Sequence, residues 1–183
     1  MNNKNRCKWC NLQNPKYIKY HDEEWCQPNF NDRYLFEMLI LESFQAGLSW
    51  ECVLNKREDF RKAYDNFDID QICKYDNEKI QELLSNEKII RNKLKINASI
   101  NNARIFKDIQ KEYGTVYNYL IEFTEGKTFY ETDKITSELS DKISKDLKKK
   151  GMRFVGSTII YSYLQAIGVI YSHDKECFMY KEI

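Results

Sequence analysis

Helix breakers are scarce in this chain. Two prolines and six glycines among 183 residues leave few points at which a helix must stop, and this excludes a loop-rich or collagen-like protein. Long hydrophobic runs are also missing. The apolar stretches fall far short of the ~20 residues that a membrane-spanning helix needs. Met1-Asn2-Asn3-Lys4-Asn5-Arg6 leads into no apolar signal segment. These absences point to a soluble, cytoplasmic protein with no membrane association. Neither sign of charge dominates: 29 Lys and Arg stand against 28 Asp and Glu, a formal net charge of +1. No global field attracts nucleic acid, so any such binding needs a local patch. Repeats, low-complexity tracts and convincing strand alternation are absent as well.

What remains is a globular composition, 42% hydrophobic and 31% charged. The length suits one large domain or two small lobes; we take residues 1–183 as one domain of two helical lobes. The central feature is Tyr34 to Ile40, apolar on nearly every face, followed by Leu41-Glu42. A helix that is apolar all round is buried, so Glu42 needs a partner, a proton or a function. Asn31 or Asp32 supplies an N-cap, Gly47 a C-cap, and Trp50 follows within a turn. A carboxylate and a large aromatic therefore reach one region.

A second helix is expected from Ser49, with Trp50, Val53, Leu54, Phe60, Ala63 and Tyr64 on one face and Lys56, Arg57, Glu58, Asp59 and Arg61 on the other. Asp70 and Asp76 are candidate N-caps of further short helices. Next, a helix burying Ile80, Leu83 and Leu84 ends, basic residues cluster, and a longer helix carrying Ile96, Ile100, Ala103, Phe106 and Ile109 begins. Residues 88–111 hold seven basic side chains against one acid. Helix, basic turn and helix is a way to hold a phosphate on outward backbone N–H groups; a solvated helix face with ordinary lysines is the alternative. Shorter helices follow over 115–123 and 140–150, the latter stopped by Gly151, and Phe154-Val155-Gly156-Ser157-Thr158 opens an apolar helix to Ile167, ended by Gly168. The chain reads as all-α.

The only two histidines, His21 and His173, each have a cysteine nearby: Cys7 before the first, Cys177 after the second. His173 and Cys177 share a face if that segment is helical. Cys2His2 is a structural zinc set with no open position, so one zinc ion would staple the two ends of the chain and fix Trp9 and Tyr20. Cys10 is a competing ligand, and two exposed histidines with unrelated thiols are the alternative.

Several motifs in order now carry a resemblance: Cys7-x-Trp9, Tyr20-His21-Asp22-x-Glu24-Trp25, Leu35-Phe36-Glu37, Leu41-Glu42-x-x-Gln45-Ala46-Gly47-Leu48-Ser49-Trp50, Phe154-Val155-Gly156-x-Thr158 and His173-x-x-x-Cys177. Over nearly its whole length the sequence resembles the 3-methyladenine DNA glycosylase I family. The resemblance implies a helix-hairpin-helix glycosylase fold with Cys7, His21, His173 and Cys177 on a structural zinc. It places base binding on Trp9, Tyr20 and Trp50, and recognition or catalysis on Glu42. The DNA-gripping hairpin falls at about 87–95, with Arg91, Lys93 and Lys95 as candidate phosphate contacts and Leu48 as a candidate wedge. It implies hydrolytic removal of 3-methyladenine from alkylated double-stranded DNA; with no lysine flagged for Schiff-base chemistry, we expect no strand cleavage, and we expect a monomer. Three departures stand out. Cys26 replaces the usual glycine after the tryptophan, Phe44 occupies a position expected to be polar, and the hairpin contains no glycine. A non-catalytic DNA-binding module and a metallohydrolase using both histidines are the competing classes.

Overall fold

The computed structural model describes residues 4–182. Ten α-helices make up almost all of its regular structure: α1 (Pro15–Glu23), α2 (Asp32–Gln45), α3 (Trp50–Asn55), α4 (Arg57–Ala63), α5 (Ile69–Ile72), α6 (Asn77–Ser85), α7 (Lys93–Tyr113), α8 (Val116–Thr124), α9 (Glu138–Lys149) and α10 (Ser157–Ala166). The all-α expectation holds, with one addition. Phe129–Tyr130 (β1) pairs in parallel with Ile170–Tyr171 (β2). Two-residue strands are too short to leave a periodic signal in a sequence.

Helix α2 is the axis of the fold. Asn31 caps it by accepting from the Arg33 and Tyr34 N–H groups, and every residue from Leu35 to Phe44 is buried. It packs against α3, α7, α8 and α10. Phe44 lies against Phe60 and Tyr64, with ring centroids 4.9 and 6.3 Å away; its position faces the core, which explains an apolar residue there.

Local rules place most boundaries. Ser49, Asp76, Asn92 and Thr115 each cap the helix that follows by accepting from a backbone N–H. Three expectations are corrected. The helix from Ser49 breaks at Lys56 into α3 and α4. Arg57, expected on its solvent face, is only 4% exposed. The cap of α5 is Asp68, not Asp70, because Asp65, Asn66 and Phe67 all take positive φ and that left-handed turn starts the next helix early.

Two backbone positions explain their residue types. Gly168 has φ +77°, and a Cβ there would come within 2.4 Å of the Pro28 nitrogen, so only glycine lets α10 end against the 27–28 segment. Cys26 has φ +61°, a conformation glycine adopts most easily. The cysteine is held in it by N–H donation to the Gln165 carbonyl (2.9 Å), while its sulfur accepts from the Ser172 N–H (3.3 Å).

Candidate active site and metal centre

The ends of the chain meet at the four metal candidates. Cys7, His21, His173 and Cys177 are all buried, and their donor atoms lie within 4.8 Å of one another. Cys7 Sγ is 3.4 Å from His173 Nδ1. Cys177 Sγ is 3.5 Å from both His173 Nδ1 and His21 Nε2. Zinc at about 2.3 Å from sulfur and about 2.0–2.1 Å from nitrogen, with tetrahedral angles, requires S···N edges of about 3.5 Å, so the donor set fits the ion. The backbone N–H groups of Asp174 and Met179 point at the two sulfurs, each at 3.4 Å, as suits thiolates. Asp22 accepts from His21 Nδ1 at 2.8 Å and from Arg6 at 2.8 and 2.7 Å. That carboxylate orients the imidazole so that Nε2 faces the cluster, and Arg6 holds its pKa below the ordinary carboxylate value. Cys10 is outside the cluster. His173 to Cys177 is a turn closed by the Cys177 N–H on the Asp174 carbonyl, not the helical turn the spacing suggested.

The metal centre lies behind a cavity, its histidines packed against the lining residues Trp9 and Trp25. Asn14 caps α1 and Pro15 occupies its first turn. Tyr17, Tyr20 and His21 then follow at i, i+3 and i+4 on one face, all buried. One helix face thus carries two cavity aromatics and a zinc ligand. Trp9 lies against His21 (5.3 Å) and edge-on to Trp25 (4.6 Å), and Trp25 meets His173 (4.7 Å). From the other side, Glu42 comes from the last turn of α2. The chain turns at Gly47, φ +78°, Ser49 caps α3, and Trp50 opens it 5.2 Å from Tyr20. Trp9, Tyr20, Glu42 and Trp50 all line the resulting cavity of about 330 Å³.

Its electrostatics are unusual. Glu42 is 3% exposed and its Oε2 is buried without a hydrogen-bond partner, as is Trp50 Nε1. Burial alone pushes the Glu42 pKa from its ordinary 4.5 up to about 8. The Tyr20 hydroxyl is raised well above its ordinary value, first by burial and then by the Glu42 charge. A buried acceptor and a buried donor left open in a cavity with aromatic walls amount to recognition capacity.

Tyr17, Trp25, Gln45, Ser162 and Gln165 also line the cavity, with Asp133 and Lys134 at one side. Tyr17 could have been found three residues before Tyr20, and Gln45 three after Glu42. Nothing in the sequence marks the 133–134 segment.

The other expected contacts separate. Helices α6 and α7 and the turn between them form the hairpin. Arg91, Lys93 and Leu94 are exposed on it, and Lys56 Nζ braces it by donating to the Glu87 and Lys88 carbonyls (3.3 and 3.0 Å). No residue from 86 to 92 has positive φ, so this turn has no need of glycine. Lys95 is corrected: it is 7% exposed, and its ammonium donates to the Phe44 and Ala46 carbonyls at 2.8 and 2.6 Å. It holds the C-terminus of α2, where a cation is favoured, rather than a surface site. Arg104, Lys107 and Lys111 lie two or more turns further along α7, and Lys107 and Lys111 pair with Asp70 and Asp108. The basic cluster at the hairpin is therefore smaller than the sequence count. Leu48 is 42% exposed, just beyond α2.

Known proteins resemble this chain in sequence and in fold. Residues 9–180 match the model of the family described as methyladenine glycosylase. DNA-3-methyladenine glycosylase 1 of Escherichia coli (strain K12) is 40% identical over 182 residues, 96% of each chain. A crystal structure of 3-methyladenine DNA glycosylase I superposes with TM-score 0.91 at 39% identity, covering 97% of this chain and all of the other. A variant of 3-methyladenine DNA glycosylase I, solved in complex with 3-methyladenine, superposes with TM-score 0.90 at 29% identity over 95% of this chain and 96% of its own. By sequence and by fold, this chain belongs to the methyladenine glycosylase family.

Proposed function

We infer that this protein is a DNA-3-methyladenine glycosylase. It takes an alkylated adenine out of double-stranded DNA and hydrolyses its N-glycosidic bond, leaving an abasic site. The observation that carries this is the cavity itself: aromatic walls around a buried carboxylate with an open oxygen. A base must leave the stack to be cut. Adenine methylated at N3 is cationic, and its bond to the sugar is already weak. Aromatic faces attract such a cation by about 0.5–2 kcal/mol each, which favours it over neutral adenine.

We assign Trp9, Tyr20 and Trp50 to the base and Glu42 to its hydrogen-bonding edge. The ionised Glu42 carboxylate attracts the charged base and the developing oxocarbenium sugar. A cation beside it favours ionisation, so entry of the lesion drives the Glu42 proton out of a cavity that holds it when empty. Among the described residues only one lysine, Lys134, lines the cavity. It is half-exposed and paired with Glu131 at 3.2 Å, unlike the desolvated amine that Schiff-base chemistry requires. This supports hydrolysis without strand cleavage. Arg91 and Lys93 are assigned to phosphates and Leu48 to the vacated stack. The four-ligand zinc set leaves no position for substrate, which disfavours a metallohydrolase. Metal-ligating cysteines fit a reducing, cytoplasmic setting, and we take the working unit as a monomer.

The test is release of free base from methylated duplex DNA. Wild type is expected to free 3-methyladenine and Glu42→Gln to do so about 10²-fold or more slowly. Equal rates would make Glu42 structural. Duplex binding without base release would replace the enzyme with a DNA-binding module.

A further inference from the structure

Two motif carboxylates, Glu24 and Glu37, have no place in the chemistry above, yet they converge on one buried cation. Arg57 donates through Nε to Glu37 at 2.7 Å and through Nη1 to Glu24 at 2.7 Å. Its side chain is 5% exposed and that of Glu37 8%. Arg61 completes the group, donating to both oxygens of Glu37 at 2.8 and 3.2 Å.

The network joins the elements that build the cavity. Glu24 is the C-cap of α1, one turn beyond Tyr20. Glu37 is on α2, five residues before Glu42. Arg57 opens α4, directly after the helix that begins with Trp50. Its positive charge is felt at the Tyr20 hydroxyl, where it opposes the effects of burial and Glu42. A guanidinium with two fixed donor directions sets the spacing between two carboxylates as an ammonium cannot.

We propose that Arg57 is a positioning residue: by tying Glu24 of α1 to Glu37 of α2, it sets the separation of the Tyr20 and Glu42 walls and hence the fit of the methylated base. The inference rests on the glycosylase reading. It gives both carboxylates a role: Glu24 stands between the cavity residues Tyr20 and Trp25, and Glu37 shares α2 with Glu42. It also separates two functions in space, because the hairpin that meets DNA lies outside the network.

Arg57→Lys keeps the charge and loses the two-way bridge. Glu24→Ala, at a part-exposed position, removes only the tether to α1 and keeps the buried Arg57–Glu37 pair, so it serves if the first variant does not fold. Two readouts apply to zinc-loaded protein with wild-type circular dichroism. One is kcat and KM on methylated duplex. The other is the affinity for free 3-methyladenine, read from tryptophan fluorescence. Displacement of the walls predicts kcat reduced about tenfold or more, weaker free-base binding, and an unchanged KM for duplex. A fall in stability alone, with wild-type kcat and free-base affinity in the folded variants, would overturn the proposal. Wild type that neither releases nor binds the methylated base would overturn the glycosylase reading, and this inference with it.

Discussion

Glu42→Gln should make the empty protein more stable, by an amount that grows with pH. In the unfolded chain Glu42 releases its proton near 4.5, and in the fold near 8. Between those values the unfolded state has lost the proton and the folded state still holds it. Raising the pH through this window therefore favours unfolding. Below 4.5 both states are protonated and the cost vanishes. Each decade is worth about 1.4 kcal/mol, so the cost grows from about 1 kcal/mol at pH 5 to roughly 5 kcal/mol at pH 9, as an upper bound. Glutamine does not titrate, so its own burial penalty is constant. The stability of Glu42→Gln minus that of wild type should rise between pH 5 and 8 and then level off. Urea unfolding of both zinc-loaded proteins at pH 5, 7 and 9 measures this. Effects of pH on the metal site enter both curves and cancel in the difference. A difference that stays constant from pH 5 to 9 would refute the reasoning, because it would mean that Glu42 titrates as an ordinary surface carboxylate. Increased stability together with slower base release would mark a residue kept for function at the expense of the fold.

Two further outcomes are expected. Removing the metal with a chelator, or substituting Cys177→Ser, should lower the melting temperature by roughly 10 °C or more and abolish free-base binding, since His21 shares a helix face with Tyr17 and Tyr20; one zinc per chain should be counted, and unchanged melting after stripping would exclude a structural ion. Arg91→Ala and Lys93→Ala should each reduce the salt-dependence slope of duplex binding by about 0.9, whereas Lys95→Ala should lower stability and leave that slope alone; equal slope changes in all three would show that Lys95 reaches phosphate.

The parts of this molecule legible in the sequence are those set by local chemistry. Caps such as Asn31, Ser49 and Asp76 act on N–H groups two or three residues away, so helix starts could be read directly. Glu42 stood out because a carboxylate inside an all-apolar helix is costly. The metal set stood out because histidine is so rare here. What stayed hidden depends on neighbours distant in the chain. Lys95 reads as one more basic hairpin residue until α7 is laid across the end of α2. Arg57 reads as a surface charge until α1 and α2 bring Glu24 and Glu37 to it. Burial of a charge is decided by what packs over it, and sequence periodicity carries no record of that.

The sequence by itself determined most of the helices, the buried carboxylate, a metal set in which Cys10 still competed and, through ordered motifs, the family resemblance. Only the tertiary structure decided that the metal centre and the base cavity share α1, that the hairpin turns without glycine, and that one basic residue of the hairpin holds α2 instead of facing outward. The division follows from range: capping and amphipathicity act over one or two turns, while ligand convergence, desolvation and ion pairing depend on contacts between segments that folding alone brings together.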